Sequence, residues 1–276
     1  MTPGSRKPTT TPMTVSGAAG RMGRTLISLI AQNEAATLAG AVEAAGHAAL
    51  GKDAGEVAGV GHLGVPISED FAAALSPGVV ALDFTNAAAA LEHLRTAVER
   101  CNPIVIGATG FNAQQQAEID RLAPQTRCVI APNMSVGITV LQRLVREAAT
   151  ALGADFDPEI VELHHRLKVD APSGTALALG RALAEATGRN FSADAVYGRQ
   201  GMVGQRRQQE IGIMALRGGD IVGDHTVVFA GLGERLELTH RAQSRECLAR
   251  GAIRAALWLV QQPLGRYAMS DVLELR

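Results

Sequence analysis

The fold is decided by residues 13–32, which read MTVSGAAGRMGRTLISLIAQ. A strand-like run, MTVSG, leads directly into an amphipathic helical pattern, and Gly17, Gly20 and Gly23 lie at the junction. Glycines at such a junction let the backbone approach a pyrophosphate, whose charge the helix N-terminus stabilises. Ala19 replaces the middle glycine of the usual G-x-G-x-x-G pattern, and a plain packing turn is the alternative interpretation. The segment therefore favours the start of a dinucleotide-binding domain.

Strand-like and helix-like patterns alternate through the first half of the chain. This alternation predicts a parallel sheet with right-handed crossovers. The Gly-rich segment 44–64 is predicted to be loop. Further strands are predicted at 37–43, 79–85, 103–110 and 127–133, and helices at 86–100, 112–123 and 136–152.

The pattern changes after about Asp155, where strands begin to follow one another closely. The GLGE turn at 231–234 is typical of a tight hairpin, so we predict an antiparallel α+β region. Two domains are therefore expected, with seams near 132–135 and 240–244. The predicted elements are strands at 159–165, 210–218, 225–231 and 234–242, helices at 173–188 and 244–260, and a long loop at 189–209.

Composition limits the classes of function. The chain has 276 residues, 47% of them hydrophobic, with a net charge of −1 and only 3% aromatic residues. Neither nucleic acid nor a membrane is an expected partner. Three cysteines without a C-x-x-C pair argue against a disulfide framework and a structural zinc site, and fit a cytoplasmic protein. Residues 1–12 are predicted to be a disordered tail.

Glu43 closes the second predicted strand, twenty residues after Gly23. An acid at about this distance binds the ribose hydroxyls of a dinucleotide, although an ordinary acid at a strand end is the alternative. Ala44 follows it, so a 2′-phosphate lacks an adjacent cation and meets the charge of Glu43. His47 and Lys52 are the nearby side chains that could supply a compensating charge. The residues favour NADH over NADPH, with either expected as cofactor.

Turn-forming residues follow three of the predicted parallel strands. The segments are DFT at 83–85, GATG at 107–110 and APNMS at 131–135. Taken singly, each is most simply a loop. Because ligands bind outside the carboxyl ends of strands in open α/β sheets, together they predict the floor of a cofactor cleft.

A concentration of proton-handling groups occurs at 162–177, which reads ELHHRLKVDAPSGTAL. Neighbouring strand residues point to opposite faces, so His164 and His165 are expected to differ in role, and a packing histidine is the alternative. Ser173 is a suitable helix N-cap, and the free N–H groups that follow it suit a carboxylate. Lys168 adds a cation, and Asp170 either orients one of these groups or is solvated. Adjacent histidines lack the i, i+4 spacing of a helical zinc site, so no metal is predicted.

A redox cofactor beside a cationic, proton-donating site suggests that hydride and then a proton reach an unsaturated acid. At this point the sequence resembles the 4-hydroxy-tetrahydrodipicolinate reductase family, also called dihydrodipicolinate reductase. Enzymes of this family catalyse the second committed step of the bacterial diaminopimelate and lysine pathway. The resemblance runs from Met13 to the C-terminus, and it is carried by GAAGRMG, DFT, GATG, APNMSVG, ELHHRLKVDAPSGTA, EIGIMALRGGDIVGDHTVVF and GERLELTHRAQSR.

The resemblance implies a Rossmann-like α/β domain over 13–134, completed by 241–276. It also implies a central α+β domain over 135–240, with an open mixed sheet that binds a dicarboxylate substrate and forms a homotetramer. His164 is then the proton donor or acceptor, Lys168 a second donor, and His165, Ser173, Gly174 and Thr175 the substrate-binding residues. With Asp83 and Phe84 from the cleft floor, the implied cofactor-binding residues are Gly17, Ala18, Ala19, Gly20, Arg21, Met22, Glu43, Gly107, Ala108, Thr109, Ala131, Pro132, Asn133 and Met134.

Two other functions stay open from the sequence. One is a nicotinamide-dependent dehydrogenase of another imino or keto acid, and the other is a non-catalytic NAD(H) sensor. A further hypothesis concerns the loop 197–209, whose Arg199 and Arg206 are either solvated or help to close the cleft over a dianionic substrate.

Overall fold

A computed structural model describes residues 10–275, in two compact units. The first unit contains the chain up to Ser135 together with Glu246–Glu274, and the second contains Val136–Arg245. The second unit ends at Arg245, later than the predicted 240, because a strand continues through Ala242. Within the described residues, none of the helices is both long and apolar enough to cross a bilayer.

The elements alternate as strands and helices up to residue 152. In chain order they are β1 (Thr11–Ser16), α1 (Arg21–Ala31), β2 (Ala36–Val42), α2 (Ala54–Ala58), β3 (Ile67–Ser68), β4 (Val80–Asp83), α3 (Ala87–Glu99), β5 (Ile104–Ile106), α4 (Ala113–Leu122), β6 (Arg127–Ile130) and α5 (Val136–Leu152). The remaining elements are β7 (Asp157–His164), α6 (Gly174–Thr187), α7 (Phe191–Asp194), β8 (Ala195–Val196), β9 (Ile211–Arg217), β10 (Gly223–Ala230), β11 (Arg235–Ala242), α8 (Glu246–Leu259), β12 (Gly265–Tyr267) and α9 (Met269–Val272).

The first unit is built on a parallel sheet with the strand order β12-β6-β5-β4-β1-β2-β3. Apart from the edge strand β12, this is the strand order of doubly wound dinucleotide-binding folds. Strands are added on one side of β1 up to β3 and on the other side from β4 onward, so the order of the strands reverses between β1 and β4. Apolar residues of α1 and α8 form one core cluster with Met13 and Val15 of β1. Those of α3 and α4 form a second cluster with Ile104 and Ile106 of β5. The predicted Rossmann-like α/β fold is confirmed.

The second unit is a five-stranded mixed sheet with the order β11-β10-β7-β9-β8. Helices α5 and α6 supply Val145, Leu179 and Leu183 to a core that includes Ile160 of β7 and Val227 of β10. The GLGE hairpin joins β10 and β11 as predicted. The prediction of an antiparallel region was wrong in part, because β9 lies parallel to β7 and to β8. The chain between β7 and β9 holds α6, α7 and β8, and this connection is long enough for a crossover.

The sequence analysis missed several short elements. The loops predicted at 44–64 and 189–209 contain α2, and α7 with β8, respectively; β3, β12 and α9 were also not predicted. Strands of two or three residues carry too little periodicity to be recognised. Thr11 and Pro12, assigned to the tail, form the start of β1, where the Thr11 N–H donates to Ala35. The rest of that predicted tail, residues 1–9, lies outside the described residues.

Candidate functional site

The glycine turn of the first unit is shaped to receive a phosphate. Gly17 has a φ of +73°, and its N–H and that of Ala18 donate to the Val42 carbonyl. A Cβ on Gly23 would lie 2.0 Å from the Gly17 oxygen, so only glycine lets α1 start this close to the turn. The N-terminus of α1 has no side-chain cap and no acid in its first turn. Its backbone N–H groups and partial positive charge therefore suit the pyrophosphate of a dinucleotide.

Glu43 lies beside this turn, immediately after β2. Its Oε2 accepts a hydrogen bond of 3.0 Å from the Ala19 N–H, and its Oε1 accepts one of 3.0 Å from the Ala44 N–H. The carboxylate is thus fixed where ribose hydroxyls approach in this fold. His47 accepts the Ala49 N–H through Nδ1, and both His47 and Lys52 are exposed.

The carboxyl ends of β4 and β5 form the next part of this edge. The Gly107 N–H donates to the Asp83 carbonyl, and a Cβ on Gly107 would lie 2.3 Å from the ring of Phe84. The Asp83 side chain is fully buried, where it accepts the N–H and hydroxyl of Thr85 and pairs with His93. Its carboxylate therefore stabilises the turn, and any cofactor contact at Asp83 is left to the backbone around it.

The segment after β6 packs against α8. The Ala131 N–H donates to Ile106 of β5, and the Asn133 side chain accepts the Ser135 N–H at 2.8 Å. A Cβ on Gly251 of α8 would lie 1.8 Å from the Met134 oxygen, so this glycine allows close packing. The segments predicted to line the cofactor, 17–22, 83–84, 107–109 and 131–134, thus all follow carboxyl ends of neighbouring parallel strands.

In the second unit, the site is organised around the carboxyl end of β7. Glu162 and His164 alternate with half-buried positions on this strand and share its buried face. Glu162 is 0% exposed, and its Oε2 lies 2.5 Å from Nδ1 of His164. His164 is the last residue of the strand, and its side chain is 11% exposed. One buried carboxylate therefore orients the histidine that the sequence predicted as proton donor.

Three further hydrogen bonds hold the Glu162 carboxylate. Arg217, at the end of β9, donates from both terminal nitrogens at 2.9 Å, and the Ser173 N–H donates at 3.0 Å. Burial raises the pKa of Glu162, but the hydrogen bonds from Arg217, His164 and the Ser173 N–H outweigh it and lower the pKa below its ordinary value. Glu162 is therefore ionised near neutral pH.

His164 has one engaged and one open ring nitrogen. Burial lowers its pKa, and the hydrogen bond and charge of Glu162 oppose this shift only in part. A Cβ on Gly223 would lie 2.9 Å from Nε2, so only glycine lets the ring pack this close to β10. Within residues 10–275, Nε2 has no hydrogen-bond partner. This nitrogen is free to exchange a proton with a ligand.

The N-terminus of α6 adjoins the histidine. Ser173 is its N-cap, as predicted, and Oγ accepts the Ala176 N–H at 3.1 Å. The same Oγ lies 2.9 Å from Nε2 of His225, whose ring contacts that of His164 edge-on with 5.2 Å between centroids. Burial lowers the pKa of His225 to about 4, so it is neutral. The helix begins at Gly174, and its first N–H groups suit a carboxylate.

The loop between β7 and α6 carries the other predicted site residues. Lys168 bonds both oxygens of Asp170, at 2.7 and 2.8 Å, so Asp170 orients the lysine rather than a histidine. His165 follows the end of the strand, and its Nε2 lies 3.4 Å from Arg245. The structure thus brings His164, His165, Lys168, Ser173, Gly174 and Thr175 onto one strand end, loop and helix start.

Comparison with known proteins assigns both halves of the chain. Residues 11–134 match the family described as "Dihydrodipicolinate reductase, N-terminus", and residues 137–273 match "Dihydrodipicolinate reductase, C-terminus". The chain belongs to the dihydrodipicolinate reductase family. The resemblance found in the sequence is therefore confirmed.

Several relatives in this family are similar over nearly their whole length. The 4-hydroxy-tetrahydrodipicolinate reductase of Syntrophobacter fumaroxidans is 52% identical over 95% of this chain and 98% of its own. That of Syntrophus aciditrophicus is 50% identical over the same shares. Among solved structures, the dipicolinate-bound dihydrodipicolinate reductase of Paenisporosarcina sp. TG-14 is 22% identical, with a TM-score of 0.75 over 95% of this chain and 99% of its own. This last likeness supports the fold.

The sequence analysis did not identify four side chains that lie at the site around His164. They are Glu162, Arg217, His225 and Arg245. Glu162 had a usable signal, because residues i and i+2 of a strand share a face and Glu162 precedes His164 by two. Arg217, His225 and Arg245 had none, since each comes from a different later segment.

The ion pairs of Arg199 and Arg206 favour a structural role over the predicted closing of the cleft. Arg199 binds both oxygens of Glu159, and Arg206 binds Glu159 and Asp157, at the opposite end of β7 from His164. Within the described part of the chain, no cluster of three or more His, Cys, Asp or Glu side chains is arranged to hold a metal ion.

Proposed function

We propose that this chain reduces 4-hydroxy-tetrahydrodipicolinate, through its dehydrated imine, to tetrahydrodipicolinate in diaminopimelate and lysine biosynthesis. The observation that carries the proposal is the site around His164, in a chain about half identical to reductases of that name. A proton donor, a cation and a helix N-terminus suit the reduction of a cyclic imine dicarboxylate.

The first unit binds the dinucleotide. The turn Gly17–Gly23 and α1 receive the pyrophosphate, Glu43 binds the ribose, and the segments after β4, β5 and β6 line the remainder. When bound, the nicotinamide supplies the hydride. Since Glu43 is held beside the turn and Ala44 supplies no cation, a 2′-phosphate meets an uncompensated carboxylate. NADH is therefore the preferred cofactor, and NADPH is accepted less well.

The second unit binds the acid and supplies the proton. The N–H groups of Gly174 and Thr175, at the positive end of α6, receive one substrate carboxylate, and His165 and Lys168 add positive charge or hydrogen bonds. His164 gives a proton from Nε2 to the reduced substrate, with Lys168 as second donor. General-acid assistance of this kind contributes roughly 10²–10⁴-fold in rate.

Oligomerisation into a homotetramer is supported by the second sheet. Val161 and Leu163 of β7 lie beside Met214 and Leu216 of β9, on the face opposite α5 and α6. Leu216 is 48% exposed, and the other three are partly exposed. Apolar patches of this kind mark contact surfaces, and we assign this one to further copies of the same chain. Light scattering of the wild type and of Leu163→Asp tests this, and a monomeric wild type would refute it.

The proposed location is the cytoplasm.

The test is oxidation of reduced nicotinamide with substrate generated from pyruvate and aspartate semialdehyde by the preceding synthase. NADH and NADPH are compared, and a panel of 2-oxo acids with ammonia is run in parallel. Oxidation that depends on the synthase, and that dipicolinate inhibits, is the expected result. Turnover of the oxo acids instead would indicate an amino-acid dehydrogenase. Cofactor binding without any turnover would indicate a sensor.

A further inference from the structure

We propose that Glu162 is a positioning residue for the reaction: it fixes the ring of His164 in the Nδ1–H tautomer and so makes Nε2 the atom that transfers the proton. The inference rests on the proposed role of His164 as proton donor. It adds a residue outside the His-His-x-x-Lys segment and states which nitrogen reacts.

Glu162 and His164 share one hydrogen bond. Glu162 Oε2 and His164 Nδ1 are 2.5 Å apart, and an ionised carboxylate can only accept a hydrogen bond. The proton between them therefore belongs to Nδ1. A neutral imidazole carries one N–H, so Nε2 then holds the lone pair and becomes N–H only in the imidazolium.

Glu162 stays ionised although it is fully buried. A lone buried carboxylate would take up a proton. The Arg217 guanidinium donates to both oxygens, and the Ser173 N–H donates to Oε1, so groups other than His164 compensate the carboxylate charge. Arg217 also donates to the Asp170 carbonyl at 2.6 Å, which anchors the fork to the substrate loop.

The second ring nitrogen of His164, Nε2, lies on the side of the ring away from Nδ1. The atoms nearest to a Cβ placed on Gly223 belong to the His164 ring, with Nε2 at 2.9 Å. Among the described residues Nε2 has no hydrogen-bond partner. The ring is thus held at Nδ1 by Glu162 and packs against Gly223, and Nε2 is not among the fully buried side-chain atoms that lack a partner.

The charges around the ring decide its titration. Glu162 favours the imidazolium, whereas Lys168 and Arg217 oppose it. His225, edge-on to the ring, stays neutral at the pH of the reaction because burial lowers its pKa to about 4. Glu162 is the single negative charge in direct hydrogen-bond contact with the ring among the described residues. Its removal must therefore make His164 harder to protonate.

Glu162→Gln discriminates this role from simple packing. The Ser173 N–H and one nitrogen of Arg217 both need an oxygen at the Oε1 position, so the amide NH₂ is directed at Nδ1. The NH₂ then donates to Nδ1 and imposes the opposite tautomer. We expect kcat to fall by roughly 10²-fold, because the imidazolium that donates its proton from Nε2 is no longer stabilised by a carboxylate at Nδ1. The high-pH limb of kcat, where His164 loses its proton, moves to lower pH.

Glu159→Gln is the matched control. Glu159 lies on the same strand and is also gripped by an arginine fork, that of Arg199, but at the other end of β7 from His164. Its loss is expected to lower the melting temperature and to leave the pH profile of kcat unchanged. Gly223→Ala is a second variant: its methyl group crowds Nε2 and lowers kcat while Glu162 and the Nδ1–H tautomer persist.

The tautomer itself is read by nuclear magnetic resonance of isotope-labelled histidine, with His164→Gln used for assignment. Nδ1–H in the wild type and Nε2–H in Glu162→Gln are the expected spectra. An Nε2–H tautomer in the wild type would overturn the inference, even if Glu162→Gln does not fold. So would an unshifted pH profile in a folded Glu162→Gln. Full turnover by His164→Gln would instead refute the proposed donor, which separates the two failures.

Discussion

Glu162 and His164 are two residues apart on β7, and their side chains meet at a distance of 2.5 Å between Oε2 and Nδ1. This contact exists because alternate residues of a strand share a face, and because this face is closed at the strand end by α6 and β10. The preceding strand residues on the same face, such as Ile160, belong to the apolar core. The geometry of the proposed site and the packing of this unit therefore depend on the same strand.

Lys168 is expected to serve both binding and proton donation. Lys168→Ala removes a cation beside the N-terminus of α6, so KM for the acid should rise and kcat should fall, each by roughly tenfold or more. Steady-state kinetics with varied substrate measures both constants. Lys52→Ala is the control, because that lysine is exposed and lies in the first unit. A change in kcat alone would remove Lys168 from substrate binding.

Glu43 is expected to set the cofactor preference. Glu43→Gln keeps a hydrogen-bond acceptor for the Ala19 N–H but removes the charge that a 2′-phosphate would meet. The ratio of kcat/KM for NADPH to that for NADH should rise by roughly tenfold, or about 1.4 kcal/mol. Glu34→Gln, at an exposed position after α1, should leave the ratio unchanged. An unaltered ratio in Glu43→Gln would show that the carboxylate does not contact the ribose region.

Arg199 and Arg206 are expected to matter for stability and not for substrate. Both bind Glu159, and their side chains are 31% and 19% exposed, so each removal leaves a partly buried carboxylate with fewer partners. Arg199→Ala and Arg206→Ala should each lower the free energy of unfolding by on the order of 1–2 kcal/mol, with KM unchanged. Chemical denaturation and steady-state kinetics provide the two measurements. Arg235→Ala should change neither, because the Arg235 side chain is 70% exposed and pairs with an exposed Glu237. A raised KM in Arg206→Ala would restore the closing-loop hypothesis.

The sequence was sufficient for the fold and for the residues that lie together along the chain. The junction at 13–32 and the alternation after it predicted the parallel sheet, because glycine spacing and apolar periodicity are local signals. The segment 162–177 likewise carried its own strand end, loop and helix cap. Arg217 and His225 were out of reach, since strand pairing places them beside β7 and no local pattern encodes that pairing. The parallel pairing of β9 with β7 was missed for the same reason.

His225 is expected to make stability depend on pH. Its pKa is lowered from 6.5 to about 4 by burial, so between these values the unfolded chain binds the proton and the native protein does not. The contribution of this residue to the free energy of unfolding therefore falls as pH drops from 6.5 to 4, by up to on the order of 3 kcal/mol. Denaturant unfolding at several pH values measures it. His225→Gln, which can still donate to Ser173, should flatten this part of the dependence. An equally steep dependence in the variant would assign the effect to other groups.

The central claim is that His164 supplies the proton to the reduced substrate, and turnover by His164→Gln tests it most directly. Wild type and variant are compared with synthase-generated substrate and NADH, and the Kd for NADH is measured alongside. We expect kcat to fall by roughly two decades or more, as for loss of a general acid. The Kd for NADH should be nearly unchanged, because the turn at Gly17 and the carboxylate of Glu43 belong to the first unit. Full turnover by His164→Gln would contradict the claim and leave His164 as a packing residue.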